Sequence, residues 1–361
     1  AGGCVRDALL GRQPKDFDVA TDATPARVRE VFGKKRTLAF GASFGVIAVL
    51  PHRSSSEMPG GDDQGTMMPT EVATFRSDGE YSDGRRPDKV SFGDARNDAF
   101  RRDFTINGLF YDPATREVID FVGGRDDLEK QVLRTIGKAR ERFEEDKLRM
   151  LRAVRFATTL GFALEEETHG EMTRLAHEIA VVSGERIGAE MRRIVGASQA
   201  AAGLRVLVET GLDQVIWPTL SDADAVTLGR WLAARQELGF ESTMAIVLSA
   251  ISNAHADASP REQVDAVANE WRLSSEEKRR IQFAVDSWRL VAEAADSAWS
   301  SIQPILINRD IEIAVQVAAA ITTAENQDRS GVEFCRQRLS LPQEILDPPP
   351  LLTGDQLMAE G

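Results

Sequence analysis

The sequence predicts a mixed α/β head over residues 1–126 and an all-α remainder. Three observations carry that prediction. Apolar, β-rich runs at residues 44–50 and 70–75 have the length and composition of strands. From about residue 127, apolar side chains instead recur at spacings of three and four, over residues 142–160, 165–180, 185–195 and 200–209. That is the period of helices with one buried face. The 361 residues, 42% hydrophobic and 28% charged, exceed one compact domain and suit two or three.

Taken in order, Ala1-Gly2-Gly3 begins abruptly without Met, as a head lacking its first strand would. Asp16-Phe17-Asp18 reads as a strand whose alternation puts both carboxylates on one face and Phe17 in the core. Asp22 or Thr24 caps a helix with Pro25 in its first turn, continuing through Val28, Val31 and Phe32. Residues 51–69, rich in Ser, Gly, Pro and Asp, read as an exposed insertion between two strands. Residues 106–111 and 118–122 flank Asp112-Pro113 as a further hairpin. Trp217, Trp231, Trp271, Trp288 and Trp299 punctuate the later helices and are expected as core anchors. Pro348-Pro349-Pro350 precedes a last short segment, and no period of 20–50 residues marks a repeat array.

Composition excludes several classes. Cys4 and Cys335 alone rule out a disulfide framework or a cysteine-built zinc site. No apolar run reaches the roughly 20 residues a bilayer requires, and no signal peptide is recognisable, so no membrane partner is expected and the cytoplasm is the default location. A net charge of -13 speaks against a polyanionic partner until it is divided. Residues 1–200 hold 31 Lys+Arg and 33 Asp+Glu, whereas residues 201–361 hold 13 and 24. The first part is therefore nearly neutral at -2 and the second strongly acidic at -11. Residues 130–155 carry nine basic side chains against four acidic ones, a run suited to a polyanion or to a solvated helix face laced with ion pairs.

Two features bear chemistry. Asp16 and Asp18 repel one another unless a divalent cation lies between them, and Mg²⁺ prefers such oxygen ligands together with substrate phosphates. Gly2-Gly3 upstream lets backbone N–H groups approach a phosphate, and Arg6 supplies a charged fork. Glu71, at the start of the run Glu71-Val72-Ala73-Thr74, completes the carboxylate set if the two strands are neighbours; it would ligate a metal or take a proton from an attacking hydroxyl. The second feature is the stretch 145–156, where Asp146 and Arg149 stand three apart and would be neighbours on a helix. A carboxylate accepts from an exocyclic amine and a guanidinium donates to the adjacent ring nitrogen. Such a pair takes cytosine and adenine and rejects uracil and guanine. Arg152 and Arg155 continue the i+3 series but slip around the helix, so Arg155 serves phosphate or structure.

These motifs resemble the class II tRNA nucleotidyltransferase and bacterial poly(A) polymerase family. The matching stretches are Gly2-Gly3-Cys4-Val5-Arg6-Asp7, Lys15-Asp16-Phe17-Asp18-Val19-Ala20-Thr21, Glu71-Val72-Ala73-Thr74-Phe75-Arg76, residues 78–87, Arg101-Arg102-Asp103-Phe104-Thr105-Ile106-Asn107-Gly108 and residues 145–156. They follow the family's order over residues 2–160; beyond about residue 200 only Leu351-Leu352-Thr353-Gly354-Asp355-Gln356-Leu357 is similar to a family tail motif.

The resemblance implies a polymerase-β-like nucleotidyltransferase palm over residues 1–126. A helical neck (127–199), an RNA-binding body (200–300) and a truncated tail (301–361) would follow. It implies attack of a tRNA 3′-hydroxyl on the α-phosphate of CTP or ATP. By position, Asp16 and Asp18 would hold two Mg²⁺; Gly3, Arg6 and Arg102 the triphosphate; Asp103 and Asn107 the nucleotide pocket; Asp146 and Arg149 the base. CCA addition is the expected activity, with A-only addition or polyadenylation beside it. The intact segment 78–87 disfavours a CC-only enzyme, and the basic stretch 32–40 lacks the His of the poly(A) branch. A catalytically inactive RNA-binding module would not require the intact carboxylate pair. A metal-dependent phosphohydrolase would want a His-Asp pair, and His52, His169, His177 and His255 are each followed by another residue.

Overall fold

In a computed structural model, the described residues are 1–51, 69–79, 90–236, 239–254, 259–348 and 358. Most of the insertion 51–69, the segment 80–87 and the tail motif 351–357 lie outside them. The chain divides into two compact units, Ala1–Glu178 and Ile179–Gly361.

The first unit opens with α1 (Gly3–Leu9) and β1 (Val19–Thr21). In α2 (Pro25–Phe32), Thr24 caps the helix by accepting from Arg27 N at 3.4 Å and Pro25 fills the first position. Strands β2 (Thr37–Gly41), β3 (Val46–Val49) and β4 (Thr70–Thr74) join β1 in a mixed sheet of order β1-β4-β3-β2. β1 runs parallel to β4, and the β2–β3 and β3–β4 pairs are antiparallel. Its buried face brings Ile47, Val49 and Val72 against Val28 of α2, so alternation along the strands and one stripe of the helix make a common core.

The small ladder of β5 (Arg76–Asp78) and β6 (Val90–Phe92) then leads into α3 (Ala95–Phe100). A 3₁₀ turn, Thr105–Asn107, precedes the antiparallel hairpin of β7 (Leu109–Asp112) and β8 (Glu117–Asp120). In its turn, Asp112 accepts from Ala114 N at 2.8 Å. Helix α4 (Gly124–Lys130) is placed by Asp120, which accepts from the backbone N–H groups of Val122, Gly123, Gly124 and Arg125. Gly124 packs so closely on the 3₁₀ turn that a Cβ would lie 2.2 Å from Thr105 O. The strand β9 (Val132–Leu133), helices α5 (Ala139–Glu145) and α6 (Leu148–Leu160), strand β10 (Ala163–Leu164) and α7 (Glu166–Leu175) complete the unit.

The single helix expected over residues 142–160 is therefore two. Asp146 takes an extended conformation, φ -148° and ψ 107°, and its Oδ1 accepts from Leu148 N at 3.0 Å. A short polar side chain has taken over a backbone donor that a continuous helix would have used.

The second unit is helical throughout its described residues: α8 (Gly184–Val195), α9 (Ala200–Thr210), α10 (Asp213–Ile216), α11 (Ala225–Ala233), α12 (Phe240–Ala254), α13 (Pro260–Glu270), α14 (Ser275–Ala292), α15 (Trp299–Leu306), α16 (Ile311–Ala324), α17 (Ser330–Leu339) and α18 (Gln343–Leu346). Trp217 and Trp271 meet edge to face at 5.0 Å, and Trp231 and Trp288 are also buried. Trp299 departs from the core expectation: it is 41% exposed at the first position of α15. Glu277 ties α8 to α14 by receiving Arg192 Nη2 at 2.9 Å while closing a capping box with Ser274. Arg235 donates to the carbonyls of Ala197 and Ser198 just past the end of α8, where the helix dipole is negative.

Candidate active site

Glycine at position 2 is a steric requirement. Its φ is +71°, and a Cβ there would stand 2.5 Å from Arg102 Nη1. The Gly2 N–H donates to Leu109 O at 2.8 Å, which fixes the turn against β7, and Gly3 opens α1. One turn on, the buried Arg6 guanidinium donates from Nη1 to Asn107 Oδ1 at 2.6 Å. Asn107 Nδ2 donates in turn to Asp103 Oδ1 at 3.0 Å. The other carboxylate oxygen receives Arg152 Nε at 2.8 Å and Nη2 at 2.5 Å. Arg6, Asn107, Asp103 and Arg152 thus form one connected chain that joins α1, the 3₁₀ turn and α6. Burial alone would raise the Asp103 carboxyl. The charge of Arg152 and hydrogen bonds from Asn107 and Arg152 overcome it and hold the group at about 2.

Phe156 anchors this chain from beneath. Its ring centroid lies 5.1 Å from the Arg6 guanidinium carbon, 5.5 Å from that of Arg152 and 3.9 Å from that of Arg155. Arg102 extends the cationic side. Its Nη1 donates to Asn107 O at 3.1 Å, its guanidinium lies 4.9 Å from the Phe110 ring centre, and Asp98 holds its Nη2 at 3.0 Å.

Asp16 and Asp18 lie in the segment just before β1 rather than within a strand. Phe17 is 63% exposed, so it does not enter the core as alternation implied. Regular pairing begins only at Val19, and no partner strand imposes the pleat one residue earlier. The Asp18 carboxyl is nevertheless raised, first by burial and then by the neighbouring charge of Asp16, with Arg102 among the opposing influences. Val19 pairs with Val72, so Asp18 and Glu71 each stand one residue before the first paired position of their segments; Glu71 is exposed. Among the described residues, no three Asp, Glu, His or Cys side chains converge as a metal cage.

The expectation that Asp146 and Arg149 stand on one continuous helix needs correction. Asp146 stands at the break between α5 and α6, and Arg149 is in the first turn of α6. The link seen in the backbone is Arg149 N donating to Asp146 O at 3.0 Å. The buried Arg149 guanidinium meets Glu145 Oε2 at 2.5 Å and Arg142 O at 3.0 Å, and Glu145 also receives Arg142 Nη1 at 2.9 Å. The sequence reading passed over Glu145, Asp98 and Phe156. For the two carboxylates a signal existed: each stands three or four residues from the arginines it holds, the spacing of helical neighbours.

Residues 1–134 match the family model described as the poly A polymerase head domain, and residues 161–224 match the one described as a probable RNA and SrmB-binding site of polymerase A. The CCA-adding enzyme of Geobacillus thermodenitrificans is 34% identical over 348 residues, 94% of this chain and 78% of that protein. The CCA-adding enzyme of Geobacillus stearothermophilus is 40% identical over 243 residues, 65% of this chain and 56% of the relative; its match, like the 51% of the Lactiplantibacillus plantarum enzyme, spans little more than half the relative's length. The crystal structure of the Bacillus stearothermophilus CCA-adding enzyme in complex with CTP superposes with a TM-score of 0.71 at 28% identity, covering 94% of this chain and 77% of that one. A Thermotoga maritima CCA-adding enzyme complexed with tRNA shares the fold, with a TM-score of 0.63 at 19% identity. The chain belongs to the class II tRNA nucleotidyltransferase and bacterial poly(A) polymerase family, to which the CCA-adding enzymes belong.

Proposed function

We propose that the protein is a template-independent RNA nucleotidyltransferase that adds CMP and AMP to the 3′ end of tRNA from CTP and ATP, releasing pyrophosphate. The observation that carries this reading is the connected set Arg6–Asn107–Asp103–Arg152, assembled beside the Gly2 turn and Arg102. Arginines fixed before substrate arrives are suited to gripping a triphosphate, because little reorganisation remains to be done when charge develops.

In this reading Gly3, Arg6 and Arg102 hold the triphosphate. Asp103 and Asn107 shape the nucleotide pocket, with Arg152 and Arg155, both on α6, completing the nucleotide-binding set. Asp146 and Arg149 face the base, with Glu145 holding the Arg149 guanidinium. Asp16 and Asp18 suit Mg²⁺: their donors are all oxygen, and a divalent cation relieves both the burial and the Asp16 repulsion that raise the Asp18 carboxyl. Two such ions would be held by these carboxylates together with phosphate oxygens. When bound, they supply Lewis-acid stabilisation to the attacking hydroxyl and to the leaving pyrophosphate. Glu71, on the strand next to β1, would complete the metal's carboxylate set or take the hydroxyl proton. Head 1–126, neck 127–199, RNA-binding body 200–300 and tail 301–361, acting in the cytoplasm, complete the proposal.

The test is a nucleotide-by-nucleotide assay with Mg²⁺ on tRNA lacking its 3′ end, on tRNA ending in CC and on an unrelated RNA. The expected result is C and then A addition, confined to tRNA. Incorporation of ATP without CTP would replace this reading with A-only or polyadenylating activity. Asp16→Ala should abolish incorporation and leave tRNA binding measurable, and turnover in that variant would remove the two-metal assignment.

A further inference from the structure

We propose that Asp98 is a positioning residue for nucleotide binding: it holds Arg102 toward the triphosphate. The proposal rests on the nucleotide reading of Arg102 and deepens it. Asp98 is 1% exposed on α3 and divides its two oxygens between consecutive arginines. Oδ1 takes Arg101 Nε at 2.8 Å and Nη2 at 2.6 Å. Oδ2 takes Arg102 Nε at 3.2 Å and Nη2 at 3.0 Å. Each oxygen thus accepts two N–H groups from the Nε edge of one arginine, which holds that edge against the carboxylate.

Asp98 and the Asn107 carbonyl together hold Arg102 before any ligand arrives. Three of its five N–H donors are spoken for, two by Asp98 and one by Asn107 O; one on Nη1 and one on Nη2 remain for phosphate oxygens. The Phe110 ring and the absent side chain of Gly2 complete the slot, so the arginine has one favoured pose. A buried carboxylate is costly unless paired, and two arginines on one carboxylate leave the cluster with a net positive charge for an anionic ligand.

The experiment uses the full chain and reads CTP binding by calorimetry in EDTA, so that neither metal nor turnover enters. Asp98→Asn should weaken CTP binding roughly fivefold to tenfold. The same change made in Arg102→Ala should produce no further loss, because Asp98 acts through Arg102. Asp98→Glu keeps the charge and should recover part of the affinity even where Asp98→Asn lowers the melting temperature. In steady state, KM for CTP should rise more than kcat falls. Equal CTP affinity in wild type and Asp98→Asn, or an undiminished effect in the Arg102→Ala background, would overturn the proposal. Coupling that survives in a protein unable to extend tRNA would remove the functional reading alone.

Discussion

Asp103 shows how one buried carboxylate can organise several functional groups. Both oxygens are occupied, by Phe104 N and Asn107 on one side and by Arg152 on the other. The sequence offered it as a nucleotide contact, and the geometry makes it also the brace that orients the Asn107 amide. Its carboxyl is held at about 2 against an ordinary 3.8. A depressed carboxyl adds stability that is present above the unfolded value and is lost as pH falls through the folded one. The shift corresponds to about 2 kcal/mol. Urea unfolding of wild type and Asp103→Asn should therefore show a stability gap that is constant above about pH 5 and narrows from pH 4 toward pH 2. A gap that widens on acidification would contradict the Arg152–Asp103 pairing as its source.

At the scale of elements, the sequence was legible where one apolar period ran unbroken between clear stops. Helix α2 begins at the Thr24–Pro25 signal, and α8 and α9 fall within a residue of their expected bounds. It failed where a polar side chain competed locally with the backbone. From Phe143 to Leu148 the apolar spacing stretches to five, but a gap of that size does not reveal that Asp146 captures Leu148 N and ends α5. Likewise nothing in Asp16-Phe17-Asp18 reveals that pairing starts at Val19. The connected set Arg6–Asn107–Asp103–Arg152 was illegible as a network because its partners lie up to 101 residues apart, although the motifs named each member. The break at Asp146 yields a separable prediction. Asp146→Ala should cost about 1 kcal/mol by removing the local cap, while Asp146→Asn retains an acceptor and should unfold close to wild type. If Asp146 also reads the base, Asp146→Asn should narrow the CTP/UTP preference without that loss of stability. Equal destabilisation by both variants would mean that the charge, and not the cap, holds the α5–α6 junction.

Across the whole molecule, the uneven charge becomes a statement about which cations are available to RNA. In the second unit, Arg192 is paired with Glu277, Arg230 with Glu325, Arg261 with Asp286, Lys278 with Asp265, and Arg279 and Arg280 with Asp310. Even in the basic run of the first unit, Lys138 and Arg140 are matched by Glu141 and Glu144. Exposed pairs of this kind add little stability, but each holds a cation that would otherwise displace a counterion from a phosphate. tRNA binding should therefore depend on salt less steeply than the number of basic residues suggests. Filter binding of tRNA between 50 and 200 mM salt should give a log–log slope shallower than about -4, at roughly -0.7 to -0.9 per phosphate contacted. A slope steeper than about -8 would show that these internal pairs open when RNA binds, so that the acidic unit exchanges its own carboxylates for phosphates.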